Sequence, residues 1–540
     1  MRHAGFARNF DSTLRRLAER GHAVHVAFDV PFAHARRGAG PGIVERLAAE
    51  HPSVTLGPAP DRSGEGSTRL GLRLRLGIDY LRFLDPAYGS APKLRARAEA
   101  QAGPALRALG RVAARRPSGP AALSRALRAL EASLPVSPRA WRFVREQRPD
   151  VVLVTPLVEL GEPQTDFVRA AKALGIPSGL CVASWDNLTN KGVVSETPDL
   201  VAVWNEAQRE EAVALHGVPR ERVVATGAHS YDHWFDWAPS RDRYEFARTV
   251  GLPTEGPLLL YLCSSEFIAP DEAGFVRRWL RDLRARPEPE LRDAAVLVRP
   301  HPQHAEQWRG VDLSYLGPVS VWPPAGADPT DADSRRDYFD SLYHCSAVVG
   351  VNTSALIESA IVGRPVLTYL APEFRETQRG TPHFAHLADG GLLRVADSFE
   401  QHAVELASAL SSGEGAPPEA RAFVRSFLRP HGLEQAAAPR LVDALERLAC
   451  TPAQRLRAPA LAPITRLALA PLAALAGLDA RLRRVARAGA RRALAVPAVR
   501  RRVLGWVEPP RRLSQAPVTR HLRSLVRGPA DPALGAGREP

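Results

Sequence analysis

Three short segments of the chain gather residues that could hold a phosphate or move a proton. The first, Val298 to Gln303, reads VRPHPQ: an apolar run ends in Arg299 and a proline-flanked His301. At the carboxyl edge of a parallel sheet, where open α/β folds bind ligands, such a His can donate to a phosphate or a leaving group. The bland alternative is a ring that only stiffens its loop. The second, Val348 to Val366, reads VVGVNTSALIESAIVGRPV, with Asn352, Thr353 and Ser354 where a helix should begin. Their side chains and the N–H groups of a helix start suit a phosphate, and they also serve as ordinary caps. Glu358, one turn further in, is placed either to bond ribose hydroxyls or to face solvent. The third, Ala183 to Gly192, reads ASWDNLTNKG. Asp186 is a candidate general base toward an acceptor hydroxyl, or a residue that shapes its loop. Lys191 could touch a phosphate, Asn187 could face the cleft, and Trp185 could be core or a sugar-stacking platform.

Arg2 and His3, beside Gly5 at the amino end of a helix, suit an anionic ligand. His3 competes with Asp186 for the base role, against the alternative of a frayed chain start. In Thr226 to Trp234 (TGAHSYDHW), Gly227 permits a tight turn and Asp232 caps or lines the cleft; the structural role is preferred there. No HExxH, GxxxxGK[ST] or GxSxG occurs, and the HxxH pairs His301/His304 and His383/His386 lack an obvious third ligand. Asp331-Ala332-Asp333 spells DxD, but no strand leads into it and a solvated loop is expected. The expected chemistry is metal-independent. It needs no cofactor beyond a nucleotide-activated donor used as substrate, with helix starts and basic side chains neutralising the departing phosphate.

These segments need a scaffold, and the hydrophobic pattern supplies one. Phe10, Leu14, Leu17 and Ala18 keep helical spacing up to Gly21, and Ala23 to Phe28 reads as a strand. This is a helix–strand unit without its leading strand, with Arg2 to Asn9 as the loop entering the helix. Met1 is the sole Met, so a gene start about ten residues upstream, with an apolar strand, is expected. Residues 60–145 are Arg- and Leu-rich and read as a helical insertion. Apolar strands near 150–158, 177–184, 200–204 and 223–226 then alternate with helices. The rhythm restarts at 257–262, 294–298, 347–351 and 365–369, which argues for parallel sheets covered on both faces. The expected fold class is α/β: two Rossmann-like domains facing a cleft, with a helical insertion and a cationic C-terminal tail. The first domain is 1–240, the second, taken to hold the donor, is 241–450, and the tail is 451–540. Within the tail, 481–506 is expected to form cationic amphipathic helices around Pro497.

Charge is distributed unevenly. The whole chain carries +14, yet residues 451–540 hold 18 Arg against 4 acidic groups, which leaves 54 basic and 54 acidic groups before them. The body is neutral, so a nucleic-acid partner gets little support. The 4 Cys have no paired spacing, which suits a reducing, cytoplasmic compartment. Leu467 to Leu478 is too short to span a bilayer, whereas a cationic amphipathic tail could lie on an anionic membrane surface.

Together these residues resemble the GT-B group that includes CDP-glycerol glycerophosphotransferases and bacterial CMP-sialic-acid-type glycosyltransferases. His301-Pro302 and Thr353-Ser354 match, in order and setting, the HP motif and the downstream Ser/Thr motif that hold the cytidine nucleotide's phosphate in those families. The opening RHAGFARNF and RGHAVHV also look like the first unit of such enzymes, and the resemblance covers residues 1–450. The acidic base motif of the sialyltransferases is not evident, and the tail lies outside the family pattern. The resemblance implies a transferase that moves a sugar or polyol phosphate from a nucleotide-activated donor to a hydroxyl acceptor, lipid-linked or free, in surface-polymer synthesis. A nucleotide-sugar 2-epimerase of the same fold and a non-catalytic scaffold at the inner membrane face are the alternatives.

Overall fold

The computed structural model describes residues 1–29, 42–327, 329, 332–413 and 415–495. Every ladder among them is parallel. The first domain holds β1 (Val24–Phe28) beside β2 (Val54–Pro58), and a second sheet in the order β3 (Val152–Val154), β4 (Ser178–Cys181), β5 (Leu200–Val203), β6 (Val223–Ala225). The second domain is one six-stranded sheet. Its members are β7 (Leu258–Leu262), β8 (Ala295–Arg299), β9 (Val319–Val321), β10 (Ala347–Gly350), β11 (Val366–Tyr369) and β12 (Leu393–Ala396), in the order β12-β11-β10-β7-β8-β9. The chain is thus an α/β protein of two Rossmann-like units facing a cleft, the GT-B arrangement.

The strands are apolar along their whole length because both sheet faces are covered. In β7, Leu258, Leu260 and Leu262 pack into one core layer, and Leu259 and Tyr261 into the other. Strand alternation alone produces that split. In the first domain, Val26 and Phe28 of β1 share a core with Cys181 of β4 and Ala202 of β5. No ladder joins the two sheets of this domain among the described residues. Met1 lies against β1: its amino group donates to Ala27 O (2.7 Å) and Asp29 N donates to Met1 O (3.1 Å).

Three details differ from the sequence reading. Arg2–Asn9 is not an open loop: Ala4–Phe10 forms a 3-10 turn that runs into helix Asp11–Glu19. Helix Ala437–Ala449, inside the 241–450 span expected for the second domain, crosses back, with Leu441, Val442 and Leu445 in the core of the first. Asp232 starts that helix, accepting from Ala437 N (2.8 Å) and Ala438 N (2.7 Å), where a carboxylate offsets the helix dipole. Gly227, at φ 95°, leaves room for this return, since a Cβ there would sit 2.7 Å from Ala437 Cβ. Finally, Ala332 and Asp333 begin helix Ala332–Tyr343 instead of a solvated loop, and Asp331 lies outside the described residues.

Between β2 and β3 lie helices Gly66–Arg82, Pro92–Gln101, Pro104–Ala113, Gly119–Ser133 and Pro138–Gln147; Gly66–Arg82 and Gly119–Ser133 build a small core of Leu70, Leu74, Ile78, Leu81 and Leu127, joined by Leu134. Helix Ala462–Ala495 completes it with Leu469. The far end of Gly66–Arg82 grips the 183–192 loop region. The Asp79 carboxylate accepts from Gly161 N (2.6 Å) and Val193 N (2.8 Å), and Arg82 Nη1 donates to Lys191 O (3.0 Å) and Gly192 O (3.1 Å).

Candidate active site

A cavity of about 290 Å³ opens between the two domains. Its second-domain wall is the carboxyl edge of the six-stranded sheet. Arg299, Pro300, His301 and Pro302 follow β8; Thr353, Ser354 and Glu358 follow β10. Gln303 N donates to His301 Nδ1 (3.2 Å), so the neutral ring carries its proton on Nε2. Ser354 makes no capping bond within its helix, and its hydroxyl and that of Thr353 line the cavity. Arg299 lines it too, but its Nη1 donates to Asp337 Oδ2 (3.0 Å) and Ser341 Oγ (2.6 Å).

Glu358 faces the cavity and not bulk solvent, and it accepts a hydrogen bond from the Tyr338 hydroxyl. Burial pushes its carboxyl up to about 7, partly opposed by that bond and by the charge of Arg8 across the cleft. Near neutral pH it therefore exists in both protonation states.

The first-domain wall contains Arg8, Asn9, Ser184, Tyr231, His233, Trp234 and Trp237. Asn9 Nδ2 donates to Ala183 O (3.2 Å) and so ties the entering turn to the loop after β4. Ser184 Oγ donates to Asp186 Oδ1 (2.7 Å). Burial, helped by the charge of the neighbouring Arg335, lowers the pKa of His233 to about 4 and leaves a neutral ring at pH 7.

The remaining residues singled out in the sequence lie off this cavity. Asn352 turns inward and donates to Thr377 O (2.6 Å) and His383 Nε2 (3.2 Å). Trp185 is core, edge-on to His383 at 4.6 Å between ring centroids. Asn187 Oδ1 accepts from Ala183 N (3.2 Å) and Ser184 N (3.1 Å), which shapes the loop. Burial would raise the pKa of Asp186, but the charges of Lys191 and His383 and the Ser184 bond hold it below the usual value. Lys191 pairs with Glu159 at 3.3 Å. His3 lies within electrostatic reach of Glu159, Arg2, Arg8 and Lys191; burial lowers its pKa, and its Nδ1 accepts from Gly5 N (3.2 Å). Among the described residues no group of three or more His, Cys, Asp or Glu could hold a metal ion.

Ser184, Tyr231, His233, Tyr338 and the Trp234/Trp237 pair are among the cavity residues that the motifs did not single out. For Tyr231, His233, Trp234 and Trp237 the signal is the density of rings in HSYDHWFDW shortly after β6, a composition as natural to a hinge core as to a sugar site.

No protein-family model and no curated protein sequence matches the chain. Among solved structures it is similar to Anabaena HepE in complex with UDP and glucose, at 11% identity and a TM-score of 0.43, over 82% of this chain and 96% of that one. It is similar to UDP-GlcNAc 2-epimerase from Neisseria meningitidis bound to UDP-GlcNAc, at 12% identity and a TM-score of 0.39, over 60% of this chain and 82% of that one. A third similarity is to the wall teichoic acid polymerase TagF, at 14% identity and a TM-score of 0.29, over 47% of this chain and 58% of that one. These likenesses are remote; what this cleft binds is argued from its own residues.

Proposed function

We propose that the cleft binds a nucleotide-activated sugar or polyol and that the protein transfers the activated group to a hydroxyl acceptor of a surface polymer. The observation that carries the proposal is convergence. His301, Thr353, Ser354 and Glu358, from two separate strand ends, face one cavity with Arg8 of the opposite domain. The His301 Nε2–H and the two hydroxyls suit a phosphate, Arg8 adds positive charge, and ionised Glu358 suits ribose hydroxyls. As the nucleotide departs, charge grows on its phosphate, and these donors meet that charge without a metal. On the acceptor side Asp186 is the stronger of the two base candidates, because it is ionised at neutral pH whereas Gly5 N occupies the acceptor nitrogen of His3. Ser184 stands between Asp186 and the cavity and can pass the acceptor proton on.

The test is a thermal-shift panel of CDP, CMP, UDP, GDP and ADP in the presence of EDTA. Selective stabilisation by one nucleotide, lost in His301→Ala, supports the donor site. No stabilisation by any of them, with the fold intact, favours a scaffold. One observation favours a second reading, a nucleotide-sugar 2-epimerase: Glu358, with its carboxyl near 7, is an acidic group able to exchange a proton inside the cleft. An epimerase converts its nucleotide sugar without any acceptor, whereas a transferase requires one.

A further inference from the structure

Of the large apolar side chains that the described residues expose, six fall within 461–478: Leu461, Ile464, Leu467, Leu472, Leu475 and Leu478. The last five belong to helix Ala462–Ala495. At 100° per residue they occupy an arc of about 140°, and the buried Ala462, Leu469 and Ala476 occupy the opposite side. The buried side is docked tightly. A Cβ on Gly66 would lie 2.1 Å from Ala473 O, and one on Gly477 would lie 3.3 Å from Gly66 Cα, so the two helices meet backbone to backbone. The leucine face therefore points away from the protein by construction. The helix begins well before residue 481, where the cationic segment was expected, and 496–506 lie outside the described residues.

The partner's chemistry follows from what continues along the same helix. From 479 to 495 the sequence holds six Arg and one Asp. A leucine face followed by an arginine-rich stretch matches the acyl boundary and the charge of an anionic bilayer, and a second copy of the chain would bring a second set of arginines against the first. No described helix is long and apolar enough to cross a membrane. We propose that helix Ala462–Ala495 lies on an anionic membrane surface by its 461–478 leucine face. Helix Gly66–Arg82, about 25 Å long, connects that face to the 183–192 loop region. Its first turn lies under Ala473, and its last holds the 188–193 backbone through Asp79 and Arg82. Docking thus sets the loop at a fixed height above the bilayer. The binding claim is independent of the transfer reaction.

The experiment is co-sedimentation of the full chain with phosphatidylcholine vesicles, with and without about one third phosphatidylglycerol. The expected result is binding to the anionic vesicles only, weakened about tenfold or more in a triple variant, Leu467→Ser, Leu475→Ser, Leu478→Ser. These positions are 78%, 62% and 54% exposed, so the variant should fold, and its melting curve checks that. Absence of binding by the natural chain overturns the proposal, as does undiminished binding by the folded triple variant. So does a self-associated chain that the triple variant dissociates while neither binds vesicles. Nucleotide stabilisation, read on the same samples, fails or persists separately.

Discussion

Ser184 and Asp186 form a hydrogen-bonded pair, Oγ to Oδ1 at 2.7 Å, of which only the serine reaches the cavity. Asp186 is kept ionised by Lys191 and by Ser184 itself, so the pair couples a charged acceptor of protons to an exposed hydroxyl. Ser184→Ala should lower kcat by about 10²-fold and Asp186→Asn by at least as much, the usual range for a positioned acid–base group. The thermal shift given by the nucleotide should not change in either variant. Equal losses of kcat and of nucleotide stabilisation would make the pair structural.

His301 is held by Gln303 N so that its Nε2–H is the donor. Its removal should cost about 1.5–3 kcal/mol of binding to a charged phosphate, a factor of roughly 10–100 in the nucleotide's Kd. His301→Gln, which can present an amide donor, should recover part of that loss, whereas His301→Ala should not. Titration calorimetry with the stabilising nucleotide measures both.

Much of this arrangement is legible in the residues. LLLYL, AVLV and AVVG are apolar because both faces of their sheet are covered, and residues that follow each of the three strands form the cavity wall. Strand ends can be read from sequence; side-chain direction cannot. Asn352 and Thr353 are neighbours, yet one faces His383 and the other the cavity, because Thr377 offers Asn352 a carbonyl. Asp186 and Asn187 are likewise absorbed by their own loop, Asn187 accepting from Ala183 N and Ser184 N and Asp186 from Ser184 Oγ. The return of helix Ala437–Ala449 to the first domain was also unreadable. Its apolar stripe fits any core, and the Asp232 carboxylate that receives it is 205 residues away.

Glu272 carries the clearest pH signature of the fold. Burial pushes its carboxyl from 4.5 up to about 8, against hydrogen bonds from Ser264 N and the Tyr261 hydroxyl. Its folded pKa lies above the unfolded one, so the native state binds the extra proton between these values. Its contribution is then full below about pH 4.5 and is lost as pH rises through about 8. The loss from this one carboxyl should be up to about 1.4 kcal/mol per pH unit. Urea denaturation at a series of pH values should show natural protein and Glu272→Gln diverging with that sign, the variant being relatively more stable at the alkaline end. Parallel curves would assign the pH dependence elsewhere.

Asp79 joins the helical insertion to the backbone beside the 183–192 loop by accepting from two N–H groups, Gly161 N and Val193 N. Asp79→Ala leaves both N–H groups buried without that acceptor, at about 1–3 kcal/mol each. Global stability should fall, and the Gly161 and Val193 amides should lose hydrogen-exchange protection first. If the 183–192 loop positions the acceptor, the acceptor KM should rise while nucleotide stabilisation stays as it was, since His301, Thr353 and Ser354 stand on the other domain. Asp79→Asn, which retains one acceptor oxygen, should fall between. An unchanged acceptor KM in a variant whose loop amides do exchange faster would separate the insertion's anchoring role from the chemistry of the cleft.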